Sequence, residues 1–250
     1  MSNQMHSALV TGASGGIGIE MCKLLAGRGL TVVAAARDRS RLEQATSAIA
    51  GVCAVPCDLT SDGDIERLMA RWPRVDILVN CAGIMSVGRL SERSWHERSR
   101  EIAVNAIVVA RLCHHYGAAM IAAGQGRILN FASTAAARPA PLLASYAASK
   151  AFVLHLSQSL AAEWRTSGVR VTCCLPGPVA TSFAARGGLT RRRGGSDPAK
   201  VARAALAASD RGRVLCFPDA GARLRYAAFK VVPPQIVAGI AGARYRQVMR

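Results

Sequence analysis

A chain of 250 residues, 51% of them hydrophobic, can bury one sizeable core and sits at the upper end of a single compact domain, which excludes a disordered or fibrous protein. The formal net charge is +17, yet residues 183–250 hold 14 Lys+Arg against 3 Asp+Glu, so the excess belongs to the C-terminal quarter and no specific nucleic-acid partner is expected. Apolar stretches break at Arg, Gly or Pro well short of the roughly 20 residues of a spanning helix, and Met1–Ser7 lacks the basic and apolar regions of a signal peptide, so a soluble, cytoplasmic protein is expected.

Short β-branched runs alternate with longer amphipathic ones, the pattern of βαβ units in a parallel sheet covered on both faces. The first strand is read at 7–11, and Thr11-Gly12-Ala13-Ser14-Gly15-Gly16-Ile17-Gly18 follows it and opens a helix at 16–28. Glycines there let the backbone turn tightly and approach a pyrophosphate, whose charge the free N–H groups and dipole of the helix start stabilise. Gly12, Ser14, Gly16, Ile17 and Gly18 are therefore candidate cofactor-binding residues, although a Gly-rich turn alone is a weak signal and also suits a plain strand-to-helix connection. The second strand, 31–36, ends Ala34-Ala35-Ala36-Arg37. An acidic residue at this end hydrogen-bonds the ribose 2′-OH of NAD, and a basic one pairs with the 2′-phosphate of NADP. Arg37 offers a planar guanidinium to that phosphate, Ser14 and Arg41 can also reach it, and the adjacent Asp38 keeps NADH/NAD as the lesser alternative to NADPH/NADP.

A helix at 39–50, a strand at 52–56, a helix at 61–71, a strand at 75–79, a long helix at 97–123 and a strand at 127–132 come next. The helix at 145–167 then carries Ser145-Tyr146-Ala147-Ala148-Ser149-Lys150, whose spacing stacks Tyr146 and Lys150 on one face. A tyrosine near its unperturbed pKa of about 10 exchanges protons poorly at neutral pH, and a nearby ammonium lowers it by roughly one to three units. Tyr146 can then give a proton to a carbonyl oxygen as hydride arrives at carbon. By itself such a pair is usually ordinary helix surface. A strand at 169–175, a helix at 197–208 and a strand at 213–217 complete an α/β fold, a doubly wound parallel sheet of about seven strands in one domain over 1–250, with ligand expected at the strands' carboxyl ends.

The turn is spaced TGxxxGxG, and Asn80-Cys81-Ala82-Gly83, Ser133, Tyr146-x-x-x-Lys150 and Pro176-Gly177 follow in order, so the chain resembles the short-chain dehydrogenase/reductase family over residues 7 to about 182. The resemblance implies a Rossmann-type fold and a catalytic set of Asn105, Ser133, Tyr146 and Lys150. Within it, Ser133 hydrogen-bonds the substrate oxygen, Asn105 anchors a water on the lysine's proton path, and Lys150 and Tyr146 also contact the cofactor. It further implies that Asp58 and Leu59 meet the adenine, and that Asn80, Ala82 and Gly83 line the cofactor, with Cys81 replacing the family's second Asn. The loop Pro176-Gly177-Pro178-Val179-Ala180-Thr181 is implied to hold the nicotinamide carboxamide through Val179 and Thr181, with Pro176 and Gly177 at its turn.

Ile84–Leu90, Ala135–Ala144 and a Gly- and Arg-rich mobile loop at 183–198 are the expected walls of the substrate pocket, made apolar by Met85, Leu142, Leu143 and Phe183, with ordinary core or subunit packing as the alternative role of those four. The eight cysteines lack CxxC pairing, so reduced, mostly buried thiols and no metal are expected. After the last strand, Asp219-Ala220-Gly221 stands where many family members have the Asp-Gly-Gly turn of a tetramer, and the helices at 97–123 and 145–167 resemble the pair through which family members dimerise, so the resemblance implies a homodimer. Residues 219–250 read as a basic extension of two helical stretches split by Pro233-Pro234, with Leu224, Ala228, Val231, Ile236, Val237 and Ile240 among Arg223, Arg225, Lys230, Arg244 and Arg246. Packing on the protein's own body is the expected role, with a peripheral membrane as the alternative, and an acidic carrier is a further candidate partner for Arg191-Arg192-Arg193. Together these readings point to NADPH-dependent reduction of an apolar ketone or aldehyde. The alternatives are an alcohol dehydrogenase working in the oxidative direction and a non-enzymatic dinucleotide-sensing regulator.

Overall fold

The sheet forms where the β-branched runs predicted it. In the computed structural model, which describes residues 5–189, 194–233, 235–236 and 238–239, β1 (Ser7–Thr11), β2 (Thr31–Ala36), β3 (Val52–Pro56), β4 (Ile77–Asn80), β5 (Gly126–Phe131), β6 (Val169–Cys174) and β7 (Leu215–Cys216) lie in one parallel sheet. Their order is β3-β2-β1-β4-β5-β6-β7. The connecting helices are α1 (Gly16–Ala26), α2 (Arg39–Thr46), α3 (Asp62–Arg71), α4 (Trp95–Ile102), α5 (Val108–Ala122), α6 (Ala144–Glu163), α7 (Phe183–Arg186), α8 (Pro198–Asp210) and α9 (Ala220–Val231).

Alternate residues of each strand feed two cores. Leu9, Val33, Leu78, Ile128 and Val171 meet α3, α5 and α6 on one face. Ala8, Val10, Val32, Val79 and Leu129 meet α1, α2 and α8 on the other. Burial on both sides is why the strands read as unbroken apolar runs. Because β1 lies between β2 and β4, the chain leaves it in opposite directions, and the crevice at the carboxyl ends of β1 and β4 is the topological switch point where ligands bind in such sheets.

Several boundaries differ from those read in the sequence, each for a local reason. The helix expected at 97–123 starts at Trp95, because Ser94 Oγ accepts from the Glu97 N–H at 3.2 Å while the Glu97 carboxylate accepts from the Ser94 N–H at 3.2 Å. It is broken at Ala103–Ile107 by a π turn that carries Asn105, the kind of irregularity that clusters at functional sites. The strand expected at 75–79 begins at Ile77, since the Asp76 carboxylate turns the corner by accepting from the His6 and Ser7 N–H groups at 2.8 and 2.9 Å. α2 stops at Thr46 rather than 50, and the expected 213–217 strand pairs only over Leu215–Cys216.

The 183–198 stretch, expected to be irregular, contains α7 and buries Leu189. In the basic extension, α9 buries Ala222 and Tyr226, with the Tyr226 ring 5.0 Å from that of Phe217, and the Arg138 guanidinium sits 4.9 Å over the Phe229 ring. Arg191-Arg192-Arg193, Val237, Ile240, Arg244 and Arg246 lie outside the described residues. No helix among the described residues is long and apolar enough to cross a membrane. All eight cysteines are free thiols, six of them buried.

Candidate active site

At the end of β1 the chain turns at Gly12 with φ +71°, in the left-handed region that a side chain resists. A Cβ there would stand 2.7 Å from the Ala82 Cα, so the glycine lets this turn touch the loop after β4. Thr11 Oγ1 ties the same two loops by accepting the Cys81 and Ala82 N–H groups, both at 3.1 Å. Gly18 lies too close to the Gly12 carbonyl for any side chain, while Ser14 is half-buried and Ile17 packs on the core below. α2, α3, α4, α8 and α9 are each capped by an Asp or Ser side chain. α1 has Gly15 at its cap, with no side-chain hydrogen bond there and no acidic residue in its first turn. Uncapped, positively polarised N–H groups at the switch point fit the pyrophosphate of a dinucleotide.

The charges beside this turn are mostly positive. Arg37 and Arg41 are exposed, and the Arg41 guanidinium stands 3.7 Å from where a Gly15 Cβ would be. Arg186 of α7 joins them: burial and then the positive charges of Arg41 and Arg37 lower its pKa. Asp38 is occupied as the α2 cap, accepting from the Arg41 N–H at 3.0 Å. Asp58 follows β3, with its Oδ1 accepting from the Thr60 N–H at 2.9 Å and the Thr60 hydroxyl at 2.8 Å, and Arg100 is 3.5 Å from its Oδ2. Burial alone would raise its pKa, but those hydrogen bonds and the charges of Arg100 and Arg37 hold the carboxyl below its ordinary value. Leu59 beside it is buried in the core.

Asn80 ends β4 with its amide turned into the interior. Its Nδ2 donates to Asn130 Oδ1 at 2.8 Å, and Asn130 donates to Ser157 Oγ at 2.9 Å, so this side chain braces the sheet beneath the crevice. Gly83 lies close over two polar side chains: a Cβ on it would be 3.4 Å from Asn105 Oδ1 and 3.7 Å from Lys150 Nζ. Asn105 is fully buried and grips the same loop, accepting from the Ile84 N–H at 2.9 Å and donating to the Ile84 carbonyl at 2.8 Å. It also donates to Ser149 Oγ at 3.2 Å, next to Lys150 on α6.

Lys150 is buried, donates to the Phe131 carbonyl at 2.9 Å, and lies 6.0 Å from the centroid of the Tyr146 ring. Ser133 follows β5, where its Oγ accepts from the Ala135 N–H at 3.1 Å, and Ala135 packs in the same apolar cluster as Tyr146. Burial pushes the Lys150 pKa down from 10.5 to about 8, which leaves an ammonium at neutral pH. Cys81 adds no charge there, since burial raises its thiol to about 12 against the pull of Lys150. The folded chain thus holds the Lys150 proton less tightly than the unfolded chain, and stability rises with pH from about 8 to 10.5. At pH 7 the full cost is roughly 3 kcal/mol at 1.36 kcal/mol per unit. Lys150→Met loses the hydrogen bond to the Phe131 carbonyl together with the charge, so its melting temperature relative to wild type is expected to fall as pH rises from about 8 to 10.5; a difference independent of pH would contradict this reading.

Met85, Val87, Ala140, Leu143, Tyr146 and Leu189 form an apolar cluster, with Leu142 and Phe183 packed on it, and the Phe183 ring is 6.2 Å from that of Tyr146. Pro176 accepts from the Thr134 N–H at 3.0 Å, which joins its loop to the segment after Ser133, and the Arg225 guanidinium of α9 reaches Gly177. Val179 bridges Ser196, and a cavity of about 400 Å³ is lined by Val179–Ser182, Ala184, Ala185, Leu189 and Gly194. Thr11, Asn130 and Arg186 were not singled out in the sequence. The first two carried a signal, as polar residues inside apolar strands, whereas Arg186 became visible only when α7 folded beside Arg37 and Arg41.

A model of the family described as short chain dehydrogenase matches residues 6–190. A galactitol 2-dehydrogenase (L-tagatose-forming) of Cereibacter sphaeroides is 35% identical over 187 residues, spanning 70% of this chain and 72% of that protein. Among solved structures, a short-chain dehydrogenase from Sphingobium yanoikuyae in complex with NADPH aligns with a TM-score of 0.84 at 30% identity, covering 90% of this chain and 92% of that one. The bulky-bulky ketone specific alcohol dehydrogenase from Comamonas testosteroni aligns with a TM-score of 0.80 at 27% identity, covering 96% and 94%. The match over residues 6–190, joined to the seven-stranded parallel sheet, establishes that this chain belongs to the short-chain dehydrogenase/reductase family and is an oxidoreductase.

Proposed function

We propose that the protein reduces an apolar ketone or aldehyde with NADPH, Tyr146 acting as general acid. The observation that carries this reading is the buried Lys150 ammonium beside the ring of Tyr146, which itself packs in an apolar cluster. When bound, the nicotinamide supplies the hydride. Lys150 favours departure of the Tyr146 proton, because a positive charge stabilises the phenolate left behind. The Ser133 hydroxyl holds the carbonyl oxygen as negative charge develops on it, and Asn105 supports the lysine's proton path through the π turn.

Gly12, Ser14, Gly16, Ile17 and Gly18 hold the pyrophosphate in this reading, with Asp58 and Leu59 at the adenine and Asn80, Ala82 and Gly83 behind it. Tyr146 and Lys150 meet the nicotinamide ribose, and Pro176, Gly177, Val179 and Thr181 hold the carboxamide. Preference for NADPH over NADH is supported by Arg37, Arg41 and Arg186 at one place and by the engagement of Asp38 as a helix cap. The relative from Comamonas is named for bulky ketones and the one from Cereibacter for a polyol; the apolar wall of Met85, Val87, Leu143 and Phe183 supports the former class. A panel of apolar ketones and aldehydes assayed by NADPH oxidation tests this function. Turnover of polyols with NADP but of no ketone with NADPH would replace it with the oxidative alternative.

A homodimer through α5 and α6 is supported by Ile107, Ile121 and Phe152, which are 61%, 39% and 45% exposed on or beside these helices. Sedimentation equilibrium is expected to give a dimer that Phe152→Asp converts to monomer. A wild-type monomer at micromolar concentration would exclude this assembly. Burial of Ala222 and Tyr226 supports α9 as part of the body rather than a membrane-surface helix.

A further inference from the structure

Two charges lie in the interior behind the pocket wall, where nothing in the reaction requires them. Arg98 and Glu101 of α4 are 1% and 0% exposed and pair at 3.5 Å. Burying an ion pair gives little net stability, because the lost hydration offsets the attraction unless further hydrogen bonds satisfy both groups. Here those bonds converge on two segments. Arg98 donates to the carbonyls of Ser86 at 2.8 Å, Gly88 at 3.0 Å and Arg89 at 3.0 Å. Glu101 accepts from the Ser86 N–H at 2.9 Å and from the Ser145 hydroxyl at 2.5 Å, and Ser145 immediately precedes Tyr146. Arg98 also donates to Ser145 Oγ at 3.2 Å.

The gripped loop passes the restraint on. The Gly88 N–H donates to the carbonyl of Leu142, whose φ of +68° is the only positive value for a non-glycine among the described residues. The Val87 N–H donates to the Gly187 carbonyl just after α7, and Met85 lies directly against Gly187. One loop thus connects the catalytic helix, the strained turn at Leu142 and the segment that carries Phe183 and Leu189.

We propose that Arg98, Glu101 and Ser145 are positioning residues that lock the Ser86–Arg89 wall to the start of α6, so that the apolar wall, α7 and the Tyr146 hydroxyl keep one geometry toward a bound carbonyl. This rests on the reading of that wall as the substrate's. A guanidinium and a carboxylate suit the task because each can hold several main-chain groups at fixed angles. Misplacement of a substrate by about 1 Å costs on the order of 10²-fold in rate.

The test compares Ser145→Ala, Glu101→Gln and the Arg98→Met/Glu101→Leu pair with wild type, all loaded with NADPH. Melting temperature, NADPH affinity, kcat and KM for a ketone, and amide exchange at residues 84–90 are measured. Ser145→Ala is expected to fold as wild type and lose about 10-fold in kcat/KM, and the paired replacement, which leaves no unpaired buried charge but frees the main chain of Ser86, Gly88 and Arg89, to melt no lower than Glu101→Gln while staying about 10²-fold down in kcat/KM. NADPH affinity should hold, and exchange at 84–90 should quicken in each variant. Wild-type kcat/KM with wild-type exchange in the paired replacement would overturn the proposal. Should the wild-type protein reduce no ketone, the exchange arm still judges the lock, so failure of the functional reading remains distinct from failure of this one.

Discussion

Tyr146→Phe is expected to lower kcat for ketone reduction by about 10³-fold, near the middle of the range for removing a positioned general acid and equivalent to about 4 kcal/mol of barrier. The substitution removes one oxygen from a ring that is 8% exposed and leaves its packing on the apolar cluster unchanged, so the fold should hold. The carbonyl oxygen then gains charge with Ser133 as its remaining donor, and no proton is available at that place to complete an alcohol. Lys150→Ala should lose as much or more, since it removes the ammonium that favours the phenolate and also leaves the Phe131 carbonyl without its 2.9 Å donor. Single-turnover NADPH oxidation measures both variants. Turnover retained in both would rule out the mechanism.

The next largest effect concerns the cofactor. Arg37→Ala is expected to reduce the ratio of NADPH to NADH affinity by about 10- to 100-fold, the worth of roughly 1.5–3 kcal/mol for hydrogen bonds to a charged group. NADH binding should barely change, because it lacks the phosphate to which the guanidinium would bind. Arg41 and Arg186 stay in place and retain part of the positive field, so Arg37→Ala/Arg41→Ala should lower the ratio further and flatten its dependence on salt. Fluorescence titration with each cofactor measures the ratio. An unchanged preference in Arg37→Ala would show that Arg37 is not the selector.

Much of this protein was legible before it was folded. Patterns of period two and 3.6 reveal strands and helices because burial of one side chain in a layered fold is a local matter of which residues face inward. The glycine turn at Gly12 and the Tyr146, Lys150 spacing were readable for the same reason, since each sits within one turn or one helix face. Helix starts are less legible: Ser94 and Glu97 form a capping box that starts α4 at Trp95, two residues before the start predicted from the sequence at 97.

What remained hidden depended on contacts between distant segments. The sequence by itself determined the seven-stranded parallel sheet and set Tyr146 and Lys150 on one face of one helix. Tertiary structure alone decided that Asp38 serves as a helix cap, that Asn80 faces Asn130, and that Arg186 lies beside Arg37 and Arg41. It also decided that Arg98 and Glu101 are buried, since their spacing on α4 reads as an ordinary solvated ion pair until the loop at 86–89 closes over them. Periodicity encodes which way a side chain points, whereas the partner it meets is set by chain crossings that bring residues from opposite halves of the sheet together.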